Sequence, residues 1–176
     1  MTSEDGYELW LRYRQVDDAE RLAEYRTAFQ QIYFFAHTPT LVAARDELLR
    51  GLSGLLGQPI PLVNRVTQGS ALFIFKVGSV PLGAEPNDPI FQEGHFSIEV
   101  DPARGVTISA FSDVGVLYGV FHLLRHVQTH KSLANLEIVT TPKIKYRLLN
   151  HWDNLDGTIE RGYAGFSLWD WHKLPD

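Results

Sequence analysis

The sequence predicts an α/β (α+β) layered sandwich, a mixed sheet with helices packed on it, over residues 1–140. Three observations lead there. The runs IYFFA, ALFIFKV, HFSIEV and VTISA have the length of buried strands and their wealth of branched and aromatic residues. Segments between them repeat apolar residues every three or four positions, the period of a half-buried helix. A strand, helix, strand order at the start is followed by a hairpin, which makes the sheet mixed, with the helices on one face.

Each element has its own justification. Gly6 to Val16 mixes aromatic and charged residues and reads as an extended segment, with Trp10 anchoring it to the core. Asp17 or Asp18 caps a helix running to about Phe29, in which Leu22, Tyr25 and Phe29 recur at helical spacing. Ile32 to Ala36 is a short strand. Thr38 or Thr40 opens a second helix that reaches about Leu56. Pro39 suits an early position, where its missing N–H costs nothing, and Leu41, Leu48, Leu52 and Leu55 form the buried stripe. Gly57, Pro59 and Pro61 end it.

Ala71 to Val77 is a strand, and Gly78 to Phe91 is a loop with three prolines. His95 to Val100 and Val106 to Ala110 pair through DPARG, where Pro102 fixes φ and Gly105 can take a positive φ. Asp113 caps a third helix with Val116, Val120, Leu123, Leu124 and Val127 on its apolar face. Gly115 and Gly119 lower its helix propensity. Close approach to the sheet is the favoured reason, and a merely weak helix start is the alternative. Asn135 to Val139 is a last strand. A domain boundary falls near Thr141, and Ile144 to Leu149 opens a new element in a second region, 141–176.

Composition excludes several classes of function. Net charge is -5 and no basic stripe is present, so nothing electrostatic favours nucleic acid. The absence of Cys removes disulfides, thiolate metal sites and cysteine nucleophiles. No apolar stretch is long and unbroken enough to span a bilayer. The acidic N-terminus is unlike a secretory signal, so the chain reads as cytoplasmic, although a trimmed signal would leave the same appearance. The glycines of GLSGLLG sit in a helix rather than after a strand, which is not a phosphate loop. His122, His126 and His130 recur every four residues but lack the Glu of HExxH, and read as ordinary histidines on a half-exposed helix face. His37 and His95 have no partner that the sequence names, and Ser53, Ser70 and Ser97 lack a GxSxG setting.

The stretch from Arg147 to Trp171, RLLNHWDNLDGTIERGYAGFSLWDW, carries the most chemistry. An apolar run empties into a loop dense in directional hydrogen-bonding groups, a frequent way to build a ligand site. His151, Trp152, Asp153, Asn154, Asp156, Glu160 and Arg161 suit a sugar: the Trp offers a flat face to C–H groups, and the polar side chains meet hydroxyls. An acidic sugar would want an Arg on its carboxylate. Paired carboxylates also perform glycoside hydrolysis, although Asp153, Asp156 and Glu160 can equally cap turns or pair with Arg161. Trp169 and Trp171 line a cleft or form the packed underside of a loop.

LLNHWDNLDGTIERGYAGFSLWDW resembles the opening of the catalytic domain of the family 67 glycoside hydrolases, the α-glucuronidases of xylan breakdown. EDGYELWLRY, GVLYGVFHLLR and TPKIKYRLLNHW agree, so the resemblance covers essentially the whole chain. It implies that 1–140 is that family's N-terminal α/β domain, like the accessory domain preceding the barrel in β-hexosaminidases. It implies that 141–176 is the first strand and βα loop of an incomplete (β/α)8 barrel. The implied activity is release of 4-O-methyl-D-glucuronic acid, α-1,2-linked to the terminal xylose of xylooligosaccharides, with inversion and without metal or organic cofactor.

In that family the general acid and the base lie on later barrel strands, so no catalytic residue is carried over. A barrel needs roughly 250 residues, and about 35 follow the boundary here. The expectation is therefore an enzyme fragment, inactive alone. Trp152 matches the family Trp beside the sugar site, which the resemblance implies restricts binding to chain ends. Asp153, Asp156, Glu160 and Arg161 match the substrate-site motif around it, with His151 and Asn154 in support. The implied partner is a glucuronic-acid-decorated xylooligosaccharide, bound only with the rest of the barrel. Neither nucleic acid nor membrane is implied, and a homodimer of the full-length enzyme is the assembly allowed. The rival reading is a stand-alone carbohydrate-binding or interaction module.

Overall fold

A computed structural model describes residues 11–66, 69–78, 85, 87–101, 105–144 and 146–148. The chain divides into two compact units, Met1–Lys143 and Ile144–Asp176.

In the first unit α1 (Ala19–Ala28) starts where the Asp18 carboxylate accepts the N–H of Arg21 at 3.0 Å. It buries Tyr25, and its C-cap Phe29 is buried beside it. β1 (Ile32–Phe34) follows, then α2 (Pro39–Leu56), capped by the Thr38 hydroxyl with Pro39 in its first turn. Gly57 ends α2 in the left-handed conformation, φ +66, which a glycine adopts without steric cost. Leu41, Leu48, Leu52 and Leu55 are buried, as their spacing requires.

β2 (Leu62–Val63), β3 (Ala71–Lys76), a single 3₁₀ turn at Pro89–Phe91, β4 (Phe96–Asp101), β5 (Gly105–Ala110), α3 (Asp113–Gln128) and β6 (Glu137–Thr140) complete the unit. The strands form one six-stranded sheet in the order β2-β1-β3-β5-β4-β6. β2, β1, β3 and β5 run parallel, and β4 is antiparallel to both β5 and β6. This is the expected mixed sheet with packed helices.

Period-two alternation divides the sheet into two faces. Ile32, Phe34, Leu72, Ile74, Val106, Ile108, Phe96 and Ile98 are buried. α3 lies against β3, β4 and β5, α2 packs along α3, and α1 meets α2. The other face carries Tyr33, Phe73, Phe75, Thr107, Ser109, Ser97, Glu99 and Val139, all half-buried or exposed.

The two glycines of α3 are explained by close approach. A β-carbon at Gly115 would run into the carbonyl oxygen of His95, and one at Gly119 would lie 2.5 Å from Ile108 Cγ2. The glycines of GLSGLLG play the same part in α2. Gly51 would place its β-carbon 2.6 Å from Leu124, and Gly54 2.6 Å from the Tyr13 carbonyl.

Three expectations need correction, and one strand was not foreseen. Ser112, not Asp113, caps α3: its hydroxyl accepts the N–H of Gly115 at 3.0 Å, while the Asp113 carboxylate is drawn to Lys76 and Thr38. β1 stops at Phe34, because the chain must leave the sheet to reach the Thr38 cap. β2 was not anticipated, since its two residues stand between Pro61 and the polar pair Asn64 and Arg65. The last strand starts at Glu137 rather than Asn135, whose φ of +55 is incompatible with extended pairing.

In the second unit, Ile144 and residues 146–148 carry no strand, and no neighbouring strand is described for them. Trp10 and Pro102 lie outside the described residues. No helix among the described residues is long and apolar enough to cross a membrane.

Candidate functional site

The residues singled out for sugar chemistry, His151, Trp152, Asp153, Asn154, Asp156, Glu160 and Arg161, lie outside the described residues, as do Trp169 and Trp171. Within the described residues, the polar chemistry gathers elsewhere. In an open α/β sheet the carboxyl ends of the parallel strands are where loops diverge and ligands settle. Here those ends belong to β1, β2, β3 and β5.

At the β1 and β2 ends lies a groove of about 520 Å³, lined by Tyr33, Phe35, Leu62, Val63, Asn64 and Arg65 among others. Phe35 continues β1 past its last ladder pair and is 76% exposed, with its ring stacked on His37 at 5.6 Å. Tyr33 joins an aromatic cluster, 6.2 Å from Phe73 and 5.9 Å from Phe75. Asn64 and Arg65 are exposed. Among the described residues neither side chain has an ion pair or hydrogen bond.

At the β3 end the Lys76 ammonium lies 2.7 Å from Asp113 Oδ1, and the Thr38 hydroxyl donates to Asp113 Oδ2 at 2.6 Å. Lys76, with help from Thr38, holds this carboxyl below its usual 3.8. Thr38 and Ser112 also cap α2 and α3. The cluster therefore ties two helix starts to a strand end and has its bonding capacity turned inward.

His95, 7% exposed, brings Nδ1 to 2.7 Å from the Thr141 hydroxyl. Burial lowers its pKa below 6.5 against the pull of Asp88. The α3 histidines go to separate partners. His122 meets the Phe96 ring at 5.4 Å, His126 Nε2 donates to the Ser132 carbonyl at 2.9 Å, and His130 lies 3.8 Å from the Asp17 carboxylate. Among the described residues no group of three His, Asp or Glu side chains could hold a metal ion. A second groove, of about 500 Å³, runs beside α3 between Leu11, Tyr13, Phe121, Leu124 and Arg125. There the Tyr13 hydroxyl donates to Glu47, and burial together with that carboxylate raises the Tyr13 pKa.

Sequence reasoning missed the β2 groove. Its one signal was the second Phe of IYFFA, placed on the face opposite the core.

Two models of glycosyl hydrolase family 67 match the chain in succession: its N-terminus over residues 9–123, and its middle domain over residues 126–176. The chain is 28% identical over 181 residues to alpha-glucuronidase A of Emericella nidulans, covering 96% of this chain and 21% of that protein. It is 28% identical over 188 residues to the probable alpha-glucuronidase A of Aspergillus oryzae, covering 99% and 21%. The chain thus spans about a fifth of the length of these curated relatives. A solved family GH115 4-O-methyl-alpha-glucuronidase with specificity for decorated arabinogalactans superimposes with a TM-score of 0.52 at 13% identity. That alignment covers 68% of this chain and 18% of the other, and shows a likeness of fold.

Proposed function

The chain belongs to glycosyl hydrolase family 67, and from that premise we propose that it supplies two parts of an α-glucuronidase. Residues 1–140 are the N-terminal domain, of the kind that precedes the barrel in β-hexosaminidases. Residues 141–176 are the first strand and βα loop of the catalytic (β/α)8 barrel. The enzyme releases 4-O-methyl-D-glucuronic acid from the terminal xylose of xylooligosaccharides with inversion. A carboxylic acid protonates the leaving oxygen while a carboxylate-activated water attacks the opposite face. Those two carboxyls belong to later strands. The 151–161 loop contributes binding: Trp152 presents a flat face to the sugar, and Arg161 is suited to the uronate carboxylate. Asp153, Asp156 and Glu160 take hydroxyls or shape the loop, with His151 and Asn154 in support.

The observation that carries this reading is the succession of the two family matches, in order, across nearly the whole chain. The test compares residues 1–176 alone with the same residues joined in frame to the remainder of the Emericella nidulans relative. Both are incubated with glucuronosyl xylotriose. The joined protein should release methylglucuronate and the 1–176 polypeptide should not. Trp152→Ala in the joined protein should lower kcat/KM at least ~10-fold, the loss of roughly 1.4 kcal/mol of transition-state binding. Turnover by 1–176 alone, or a folded but inactive joined protein, would overturn the reading.

A further inference from the structure

Arg65 is an exposed guanidinium with no partner among the described residues, at the rim of a groove whose walls are aromatic. A guanidinium is a planar fork that matches a carboxylate with two parallel hydrogen bonds. Beside it Asn64 offers an amide that can both donate and accept. Phe35, 76% exposed with one face stacked on His37, and the half-exposed Tyr33, packed beside Phe73 and Phe75, still present apolar ring surface to the groove. The groove, of about 520 Å³, is open to solvent, so a ligand would lie along it rather than be enclosed by it.

We propose that the groove at the carboxyl ends of β1 and β2 binds a uronic-acid-bearing oligosaccharide. Arg65 takes the carboxylate, Asn64 takes ring hydroxyls, and Phe35 and Tyr33 lie against the C–H face of the sugar. The choice of a sugar acid rests on the α-glucuronidase reading, but the site itself rests on the groove. A phosphate ligand fits less well. It would seek backbone N–H groups, and the starts of α2 and α3 each already give one to the Thr38 and Ser112 hydroxyls. It would also have no use for two aromatic faces. The net charge of -5 gives an anion no long-range help, so recognition falls on the one guanidinium.

The test is isothermal titration of residues 1–176 with glucuronosyl xylotriose and, separately, with neutral xylotriose. The acidic sugar should bind saturably and at least ~5-fold more tightly than the neutral one, as a charge-assisted fork requires. Arg65→Gln should abolish that preference. Arg65→Lys, keeping the charge without the fork, should retain part of it. Phe35→Ala should weaken both sugars. Arg65 and Phe35 are exposed, so unchanged thermal midpoints are expected and would show that the losses are local. Equal affinities for wild type and Arg65→Gln, no saturation by wild type, or binding abolished by Trp152→Ala but indifferent to Arg65 would each overturn the proposal. Those outcomes leave turnover by the joined protein untouched, so the two readings fail separately.

Discussion

The buried imidazole of His95 meets the hydroxyl of Thr141 at 2.7 Å, across 46 residues of sequence. The contact fastens the end of β6 to the residue that leads into β4, where the carbonyl of His95 also sets how closely α3 can approach. Burial disfavours the charged ring and so favours neutrality, against the opposing pull of Asp88.

That neutrality fixes the direction of a pH effect. The pKa values of His95 and His122 are both lowered from 6.5, first by burial. As pH falls below 6.5 the unfolded chain takes up these protons before the folded one does, so stability declines. Above 6.5 both states are neutral there and the effect vanishes. Urea midpoints should be level between pH 8 and 7 and fall towards pH 5. The double variant His95→Asn/His122→Asn should give a shallower slope. A midpoint that rose on acidification would contradict this.

A second, lower step belongs to the carboxylates. Burial works against the Glu24 anion, but the Leu133 N–H, Arg21 and Ser132 outweigh it and lower its pKa from 4.5. Asp113 is lowered by Lys76 and Thr38. Stability they confer is present above their unfolded values and lost as pH falls through their folded ones. Glu24 also accepts the Leu133 N–H at 2.7 Å and the Ser132 hydroxyl at 3.0 Å, binding α1 to the loop after α3. Glu24→Ala leaves the buried Leu133 amide unpaired and should cost ~1–3 kcal/mol in urea unfolding. Glu24→Gln, which still accepts, should cost less.

The α3 glycines give a graded prediction. At Gly115 an added methyl meets backbone, the His95 carbonyl, which cannot turn aside. At Gly119 it meets Ile108 Cγ2 at 2.5 Å, a γ-methyl of a fully buried, stiff side chain that gives little, though more than a backbone carbonyl does. Gly115→Ala should therefore destabilise by ~2–3 kcal/mol and Gly119→Ala by ~1 kcal/mol, less the gain in helix propensity. Equal losses in denaturant unfolding would show that backbone contact is not the constraint.

These positions show what a sequence can and cannot declare. The Leu stripe of α2, the alternation of β3 and the Gly57 stop are written in local spacing, and they appear where the spacing puts them. Asp113 misled because Asp is a good cap, yet a Ser stood one residue earlier and a lysine 37 residues away claimed the carboxylate. β2 was hidden because a two-residue strand has no period; it is defined by its pairing with Ile32 and Tyr33 of β1. Arg65 was passed over for the same reason: its setting is made by β1, and no neighbour in sequence reveals it.

The open sheet face carries one pair that works against the fold. Glu99 on β4 stands directly opposite Glu137 on β6, and both are exposed. Like charges facing across an antiparallel pair repel, and β6 is an edge strand of four residues, paired on one side only, with β4. Reversing one charge turns repulsion into attraction without touching the core. Glu137→Lys should stabilise the domain by ~0.5 kcal/mol at low salt. The gain should shrink as ionic strength approaches 1 M, where the screening length falls to ~3 Å. Glu99→Lys should do the same, and the double reversal Glu99→Lys/Glu137→Lys should cancel the gain by restoring a like-charged pair. Denaturant midpoints of the four proteins at two salt concentrations form a complete cycle. Additive effects of the two reversals, with no cancellation in the double variant, would mean the carboxylates do not sense one another across the strands.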